Sequence, residues 1–461
     1  MSKLGDKLNF NVMKNSASET RSLSQAIPCR SGVTFQSGQL IEWELPGNRP
    51  FEFLDLNNNL KIKLPVTFTK TDDQAKITLD RGGVYSLIQK IEMTQNGVVI
   101  SSLPKANVLI TALSDFQMSK EYKTSAGRLL EGMEGDYLRG EIVTVNSERI
   151  YYLSPLCCDL AQTTPHRMFY MGSGGPVTIR LTLESADVAL TRTGNGTCSY
   201  TVNRPELLIQ STFLPTQTMD QLSQYVKSYS MLCNSYDHMS AVVPAGTTSS
   251  HIKLSFAKAS LERVLFTIRP SAHTTGAEKF SLGSRCTGNL SDFQLEIAGE
   301  DYPKTAIKVE GSGADSLYHL LQADNIASNY AHGVQGLMNS FTPSGIAGVS
   351  PGPQTSKSNP YMVIGAVAEG TTPGATAEAG GGEASNIGTF VGAVNLESSL
   401  VTSQNSPLYS GVNTQRGVDV YWKANWGAGT PAGVDLTIDF FALSTELVHL
   451  DPDTNLWIKK N

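Results

Sequence analysis

Apolar and polar residues alternate along much of the chain. In the segment LKIKLPVTFTK, lysines separate Leu60, Ile62 and Leu64, and the alternation resumes after Pro65. A period of two places successive side chains on opposite faces of a strand. The preceding segments VTFQSGQLIEWELP and FEFLDL have a similar pattern. The sequence therefore predicts strands with one solvent-facing side between residues 31 and 69.

A hairpin followed by a helix is predicted next. The segments YSLIQKIEMTQNG and VVISSL meet at Asn96 and Gly97, and an Asn-Gly pair supplies the positive φ angles that a two-residue hairpin turn requires. In ANVLITALSDFQMSKEY, apolar residues recur at intervals of three and four, which indicates a helix. The segments RIYYLSPL, PVTIRLTLE and ELLIQSTFL then predict strands, and TMDQLSQYVKSY predicts a helical linker.

The second half repeats this order. HIKLSFAKASLERVLFTIRP predicts strands, SDFQLEIAGEDYPK predicts a second hairpin with Gly299 at its turn, and GADSLYHLLQADNIA predicts a helix. GVDVYWKANW and GVDLTIDFFALSTELVHL predict closing strands. The turn at Ala298 and Gly299 comes about 200 residues after the turn at Asn96 and Gly97, a spacing of roughly one domain. The unit is therefore duplicated.

An insertion distinguishes the second unit from the first. Residues 341–385 are rich in Gly, Ala, Thr and Pro, as in AEGTTPGATAEAGGGEAS. Such a composition cannot bury enough apolar surface to build a core. We expect a long surface excursion here.

Composition and charge favour a loop-rich β protein that does not bind nucleic acid broadly. Charged residues are 17% of the chain and the net charge is −6, so the surface as a whole would repel a phosphate backbone. The opening segment MSKLGDKLNFNVMKNSASETR has a basic excess, from Lys3, Lys7, Lys14 and Arg21 against Asp6 and Glu19. It is interpreted either as a disordered tail or as an arm that contacts a partner, a membrane or a packaged genome. Because we find neither an apolar run of spanning length nor a signal peptide, we expect a soluble protein made in the cytosol, with its six cysteines as thiols.

Candidate catalytic and ligand-binding motifs are incomplete. GSGGPV, at residues 172–177, resembles the surroundings of a serine-protease nucleophile but has Gly172 where an acidic residue is expected, so we interpret it as a turn. LDPDTNLW, which begins like a calcium loop, has no glycine at the sixth position and ends before the final glutamate. Trp422 and Trp426 could form a carbohydrate platform, although core packing is the favoured interpretation. The histidines lack metal-ligand spacing: His166, His238, His251, His273, His319, His332 and His449.

The order of these parts resembles the double jelly-roll major capsid proteins, the group that includes adenovirus hexon-like, tectivirus-like and large algal-virus capsid subunits. Three stretches carry the resemblance. FEFLDLNNNLKIKLPVTFTK with YSLIQKIEMTQNGVVISSLPKANVLITALSDF is similar to the family's early strands, hairpin and helix. RIYYLSPLCCDLAQTTPHRMFYMGSGGPVTIRLTLESADVAL is similar to its later strands, and GVDVYWKANWGAGTPAGVDLTIDFFALSTELVHLDPD to its final strands and acidic turn.

This resemblance implies an all-β fold of two tandem eight-stranded antiparallel jelly rolls, with short helices in loops. The expected division of the chain is as follows: an N-terminal arm (1–30), a first jelly roll (31–215), a linker (216–228), a second jelly roll (229–450) and a C-terminal tail (451–461).

The implied function is that of a major capsid protein, which forms pseudo-hexameric trimers that tile an icosahedral shell around the genome. The implied partners are other copies of the chain, penton and minor capsid proteins, and an internal membrane or the genome through the N-terminal arm, without sequence-specific nucleic acid binding. The resemblance implies no enzyme activity, cofactor or metal, and places the protein in the virion.

Two alternatives remain open: a β-sandwich spike, fibre or adhesin, and a carbohydrate-active or carbohydrate-binding protein. The residues singled out from the sequence are the structural turns at Asn96, Gly97 and Gly299.

Overall fold

The computed structural model describes most of the chain. The described residues are 21–56, 60–71, 76–133, 143–155, 168–172, 174–193, 197–216, 218–220, 229–274, 281–309, 313–323, 388–397, 410–415, 417–427, 429–430, 434–451 and 453–460. The predicted insertion at 341–385, most of the predicted helical linker and residues 1–20 of the N-terminal arm lie outside them.

The first half of the chain forms two antiparallel sheets that face each other. One sheet contains β1 (Arg21–Pro28), β2 (Thr34–Gln36), β4 (Glu52–Leu54), β5 (Lys61–Lys70), β9 (Glu148–Leu153), β10 (Phe169–Tyr170), β13 (Cys198–Asn203) and β14 (Glu206–Phe213). The other has the order β3 (Leu40–Leu45), β11 (Val177–Leu183), β7 (Ile88–Gln95) and β8 (Val98–Pro104). A separate pair is made by β6 (Lys76–Leu79) and β12 (Leu190–Thr193).

The second half repeats this architecture. One sheet has the order β15 (Ser230–Val243), β24 (Leu436–Leu450), β17 (Leu261–Pro270) and β22 (Gly392–Asn395), with β25 (Trp457–Lys460) also paired to β24. The other has the order β16 (Ser249–Leu254), β23 (Val420–Asn425), β19 (Asp292–Ile297) and β20 (Glu300–Lys308). A short parallel pair joins β18 (Ser284–Arg285) and β21 (Gly388–Thr389).

Equivalent hairpins and helices mark the duplication. The β7–β8 hairpin precedes α1 (Ala106–Gln117), and the β19–β20 hairpin precedes α5 (Ala314–Ala323), as the sequence predicts. Three shorter α-helices lie in the first half: α2 (Lys120–Thr124), α3 (Ala126–Glu131) and α4 (Ala186–Ala189).

The core of each half lies between its two sheets. Alternation is visible in β11, where buried and partly exposed residues follow one another strictly from Val177 to Leu183. In the second half, Trp422 of β23 lies between Phe266 and Phe440 of the opposite sheet, with ring centroids 5.2 and 5.3 Å apart. Burial of such aromatic side chains supplies much of the stabilisation of a sandwich.

Three predicted boundaries differ from the structure. The segment YSLIQK begins not as a strand but as a 3₁₀ helix at Gly83–Leu87, and β7 starts at Ile88. Gly82 and Gly83 both have positive φ, 99° and 62°, which turns the chain sharply before the strand. The N-terminal arm assigned to residues 1–30 contributes β1 to the first sheet, and the tail assigned to 451–461 contains β25, which pairs with β24.

Candidate assembly surfaces and the junction between the two rolls

A buried ion cluster lies where the two halves of the chain meet. Asp115 of α1 accepts hydrogen bonds from Arg81 Nη2 at 2.6 Å and from Lys123 Nζ at 3.1 Å. It also accepts one from Arg285 Nη2, which comes from β18 in the second half. The pair of Asp115 and Arg285 therefore crosses the junction.

Charge balance sets the protonation of this cluster. Burial alone would raise the pKa of Asp115, but the three cations outweigh it and hold that pKa well below its usual range. Burial lowers the pKa of Lys123 to about 8, against the opposing effect of Asp115. The aspartate is therefore ionised at neutral pH.

A second carboxylate crosses the same junction. Asp80 Oδ2 accepts a hydrogen bond from the backbone amide of Leu282 in the second half at 2.7 Å, and Asp80 Oδ1 accepts one from the amide of Arg81 at 2.6 Å. Burial raises the pKa of Asp80 to about 6 in spite of these hydrogen bonds. Burial at the junction thus favours the protonated form of Asp80.

The C-terminal strand β25 also contacts both halves of the chain. β25 pairs with β24 of the second half, and the ring of Trp457, which is 1% exposed, lies 4.8 Å from that of Phe169 in the first half. The backbone amide of Trp457 donates to Gln95 Oε1 at 2.8 Å, and its indole donates to the carbonyl of Tyr170 at 3.4 Å. Tyr170 also stacks on Tyr229 with centroids 4.2 Å apart.

The turn that leads into β25 explains the acidic motif near the C-terminus. Asp451 accepts hydrogen bonds from the backbone amide and hydroxyl of Thr454 at 3.1 and 2.6 Å. The carbonyl of Asn455 accepts from the amide of Gly174, in the GSGGPV segment, at 2.7 Å. Both motifs therefore occur as turns that meet at the junction.

The two tryptophans that the sequence offers as a carbohydrate platform lie in the core. Trp422 and Trp426 are both fully buried, so they form no carbohydrate platform. Within the part of the chain that the structure describes, no group of three or more His, Cys, Asp or Glu side chains could hold a metal ion. Nor does a helix there have the length and apolar character to cross a membrane.

The turn residues singled out from the sequence lie at hairpin tips. Asn96 and Gly97 have φ angles of 48° and 82°, and Gly299 has a φ angle of 82°. A Cβ atom at Gly97 or Gly299 would have nothing within 4 Å, so only the backbone conformation constrains these positions. Sequence reasoning found these tips, but it missed the junction, whose partners are far apart in the chain.

Exposed apolar side chains identify candidate contact surfaces, concentrated in the first half of the described chain. Leu129 of α3 is the most exposed, at 68%. The exposed large apolar residues are Val33, Leu40, Phe51, Val98, Val99, Leu129, Leu130, Ile150, Met168, Val242 and Tyr318.

Solved structures with the same architecture extend over almost the whole chain. The PBCV-1 protein VP54, in a structure fitted into a reconstruction of the virophage Sputnik, matches with a TM-score of 0.56 and 10% identity, over 97% of this chain and 98% of that chain. The Faustovirus major capsid protein matches with a TM-score of 0.54 and 10% identity, over 95% of this chain and 92% of that chain. The mavirus major capsid protein matches with a TM-score of 0.50 and 9% identity, over 95% and 90%.

The chain has the double jelly-roll fold. The fold class predicted from the sequence is thereby confirmed. No protein-family model matches the sequence, and no curated protein sequence does either. In this double jelly roll, Asp80, Asp115 and Trp457 lie where one roll meets the other.

Proposed function

We propose that the chain is a major capsid protein, whose trimers form pseudo-hexameric blocks that tile an icosahedral virus shell. The observation that carries this proposal is the extent of the structural likeness. Both rolls, in the same order, match chains named as major capsid proteins over nine tenths or more of each chain.

The geometry of one subunit supports this function. Each chain presents two similar sandwiches, so three chains offer six similar units around a threefold axis. A block of that kind keeps its outline only if the two rolls hold a constant angle. The buried ion cluster and the docked Trp457 both restrain that angle.

The mode of action is self-association without a catalytic step. Side faces of the rolls join chains into trimers, and trimers join one another in the lattice. The exposed apolar residues of the first roll, including Leu129 and Ile150, are candidate contacts between chains. Obligate interfaces of this type bury more than about 2,000 Å².

Further partners follow from the same proposal. Penton and minor capsid proteins would close and cement the lattice, and the basic N-terminal arm would face an internal membrane or the genome. The protein would be made in the host cytosol and reside in the virion.

Light scattering on the purified protein, combined with negative-stain imaging, tests the function. We expect a particle of three times the chain mass of 49.6 kDa that survives dilution, with a roughly hexagonal outline. A monomer at micromolar concentration would refute the capsid function. An elongated trimeric rod would favour the spike or fibre alternative instead.

A further inference from the structure

A lysine amine lies between two carboxylates at one end of the second roll. Lys258, in the loop between β16 and β17, places Nζ 2.7 Å from Oδ2 of Asp237 and 2.6 Å from Oε1 of Glu446. Asp237 belongs to β15 and Glu446 to β24, which are neighbours in one sheet. Three separate segments thus bring together an amine, a carboxyl group and a second carboxylate.

The surroundings of this group are mostly buried. The side chains of Lys258 and Glu446 are 8% and 4% exposed, whereas that of Asp237 is 37% exposed. Glu446 lies on the core-facing side of β24, between the buried Ser444 and Val448. A carboxylate on the inner face of a sheet is costly to desolvate and is retained only with close charged partners.

Glu446 has a cation at each of its two oxygens. Lys258 pairs with Oε1, and Lys459 of β25 pairs with Oε2. Together with Asp237, the group contains two positive and two negative charges. If Lys258 and Asp237 lost their charges, Glu446 and Lys459 would remain as an ion pair with no net charge.

We propose that Lys258 and Asp237 condense to an intramolecular isopeptide bond, with Glu446 as the proton relay. Glu446 accepts a proton from the ammonium group, and the lone pair of the neutral amine attacks Cγ of Asp237 to form the new N–C bond. One C–O bond of the carboxyl group then breaks. Two of the three ammonium protons leave with that oxygen as water, and the third stays on the amide nitrogen. The step needs no oxidant, cofactor or external reactant.

The contact geometry favours this condensation. Reacting groups held at van der Waals distance or closer have effective concentrations of about 10⁵–10⁸ M, which offsets the tendency of water to hydrolyse the amide. Water formed in the step can leave past Asp237, the exposed member of the group. The product would tie the β16–β17 loop to β15. This cross-link is internal to one chain and does not depend on the proposed capsid function.

Mass spectrometry of the full-length protein under denaturing conditions tests the proposal. We expect the wild-type chain to be lighter than its sequence by one water, and Lys258→Arg, which keeps the charge but lacks the primary amine, to have its full sequence mass. In a tryptic digest, the peptides 228–253 and 254–263 should remain joined. That product has the same mass as the linear peptide 228–263 left uncut after both Lys253 and Lys258, so fragment ions must show the branch at Lys258.

Two variants examine the chemistry of the step. Asp237→Asn should form the same amide with loss of ammonia in place of water, so that its product has the mass of the wild-type product. Glu446→Gln keeps the shape of the side chain but cannot relay the proton. We expect this variant to have its full sequence mass, without the loss of water. The exposed pair of Lys253 and Asp419, 2.5 Å apart and with no second carboxylate at the amine among the described residues, provides a matched control. Lys253→Arg should leave the loss of water unchanged.

The wild-type measurement is decisive even if a variant fails to fold. A wild-type chain at full sequence mass overturns the proposal. A branch that joins Lys258 or Lys459 to Glu446 overturns the assignment of Asp237 as the acceptor.

Discussion

Arg285 of the second roll donates a hydrogen bond to the carboxylate of Asp115 in the first roll, and neither side chain reaches solvent, with 1% and 0% exposure. Arg81 and Lys123 approach the same carboxylate from within the first roll. An ion pair of this kind has a narrow optimum of distance and direction. It therefore fixes the placement of the two rolls more sharply than apolar contact alone.

Removing the cation from the second roll should destabilise the protein. Breaking a buried ion pair typically costs about 3–5 kcal/mol. We expect Arg285→Ala to lower the free energy of unfolding by an amount near the lower end of that range, because Asp115 keeps two cations. Denaturant unfolding measures the change. Arg180→Ala, which removes a partly exposed pair with Glu42, is the matched control and should cost about 0–1 kcal/mol. Equal losses in the two variants would contradict a special role for the junction.

Asp80 should give the junction a pH dependence. Its pKa is raised to about 6 in the folded chain, from an ordinary value near 3.9, so the folded state binds the proton more tightly. The stabilisation is complete below about pH 4 and is lost as the pH rises through about 6, a difference of about 3 kcal/mol. Asp80→Asn should remove this slope while keeping an oxygen acceptor for the amide of Leu282.

The quantity to measure is the difference in free energy of unfolding between Asp80→Asn and the wild type, followed from pH 4 to 7. Asp115 and Asp439 have lowered pKa values and act with the opposite sign at lower pH, but they are common to both proteins. Parallel stability curves for the two proteins would show that Asp80 does not titrate in this range.

Trp457 should contribute strongly to stability although it lies near the end of the chain. We expect Trp457→Ala to cost about 3–5 kcal/mol, because the ring is enclosed by the first roll and its replacement leaves a cavity. Lys304→Ala, at a side chain 76% exposed, should change the free energy of unfolding by less than about 0.5 kcal/mol. A Trp457→Ala midpoint equal to that of the control would mean that β25 does not hold the rolls together.

The two equivalent hairpin tips permit a test of backbone strain without any change in packing. Gly97→Val and Gly299→Val should each cost about 1–2 kcal/mol, since both glycines have a φ of 82° and open space around them. Asn at the same positions should be better tolerated. Unchanged denaturation midpoints for the valine variants would argue against left-handed turns at these tips.

Limited proteolysis of intact particles tests the orientation of the shell that the proposed function requires. We expect early cleavage within residues 341–385 and protection of residues 1–21, because the Gly-rich insertion is expected outside and the basic arm inside. Early loss of the arm with an intact insertion would reverse the assigned orientation.

Local patterns made the fold predictable, whereas the junction depends on contacts that no local pattern encodes. The hairpins and the helix α1 follow from alternation, turn residues and spacing within about ten residues. Asp115 and Arg285 are 170 residues apart, and Trp457 and Gln95 are 362 apart. Their side chains have ordinary neighbours in sequence, so their burial and pairing appear only when both rolls are assembled. In the segment YSLIQK the strand prediction is right from Ile88 onward and wrong for Tyr85–Leu87, whose composition suits a strand although the paired glycines before them impose a turn.

The docking of β25 also bears on how long a folded subunit persists. Gln95 and Trp457 are 362 residues apart, and their contact needs both the first roll and β24 in place, so we expect it to form late in folding. Interactions absent from the folding transition state chiefly slow unfolding and change the folding rate little. The strand would thus act as a kinetic latch: it lengthens the lifetime of a subunit once it is folded, without helping it to fold.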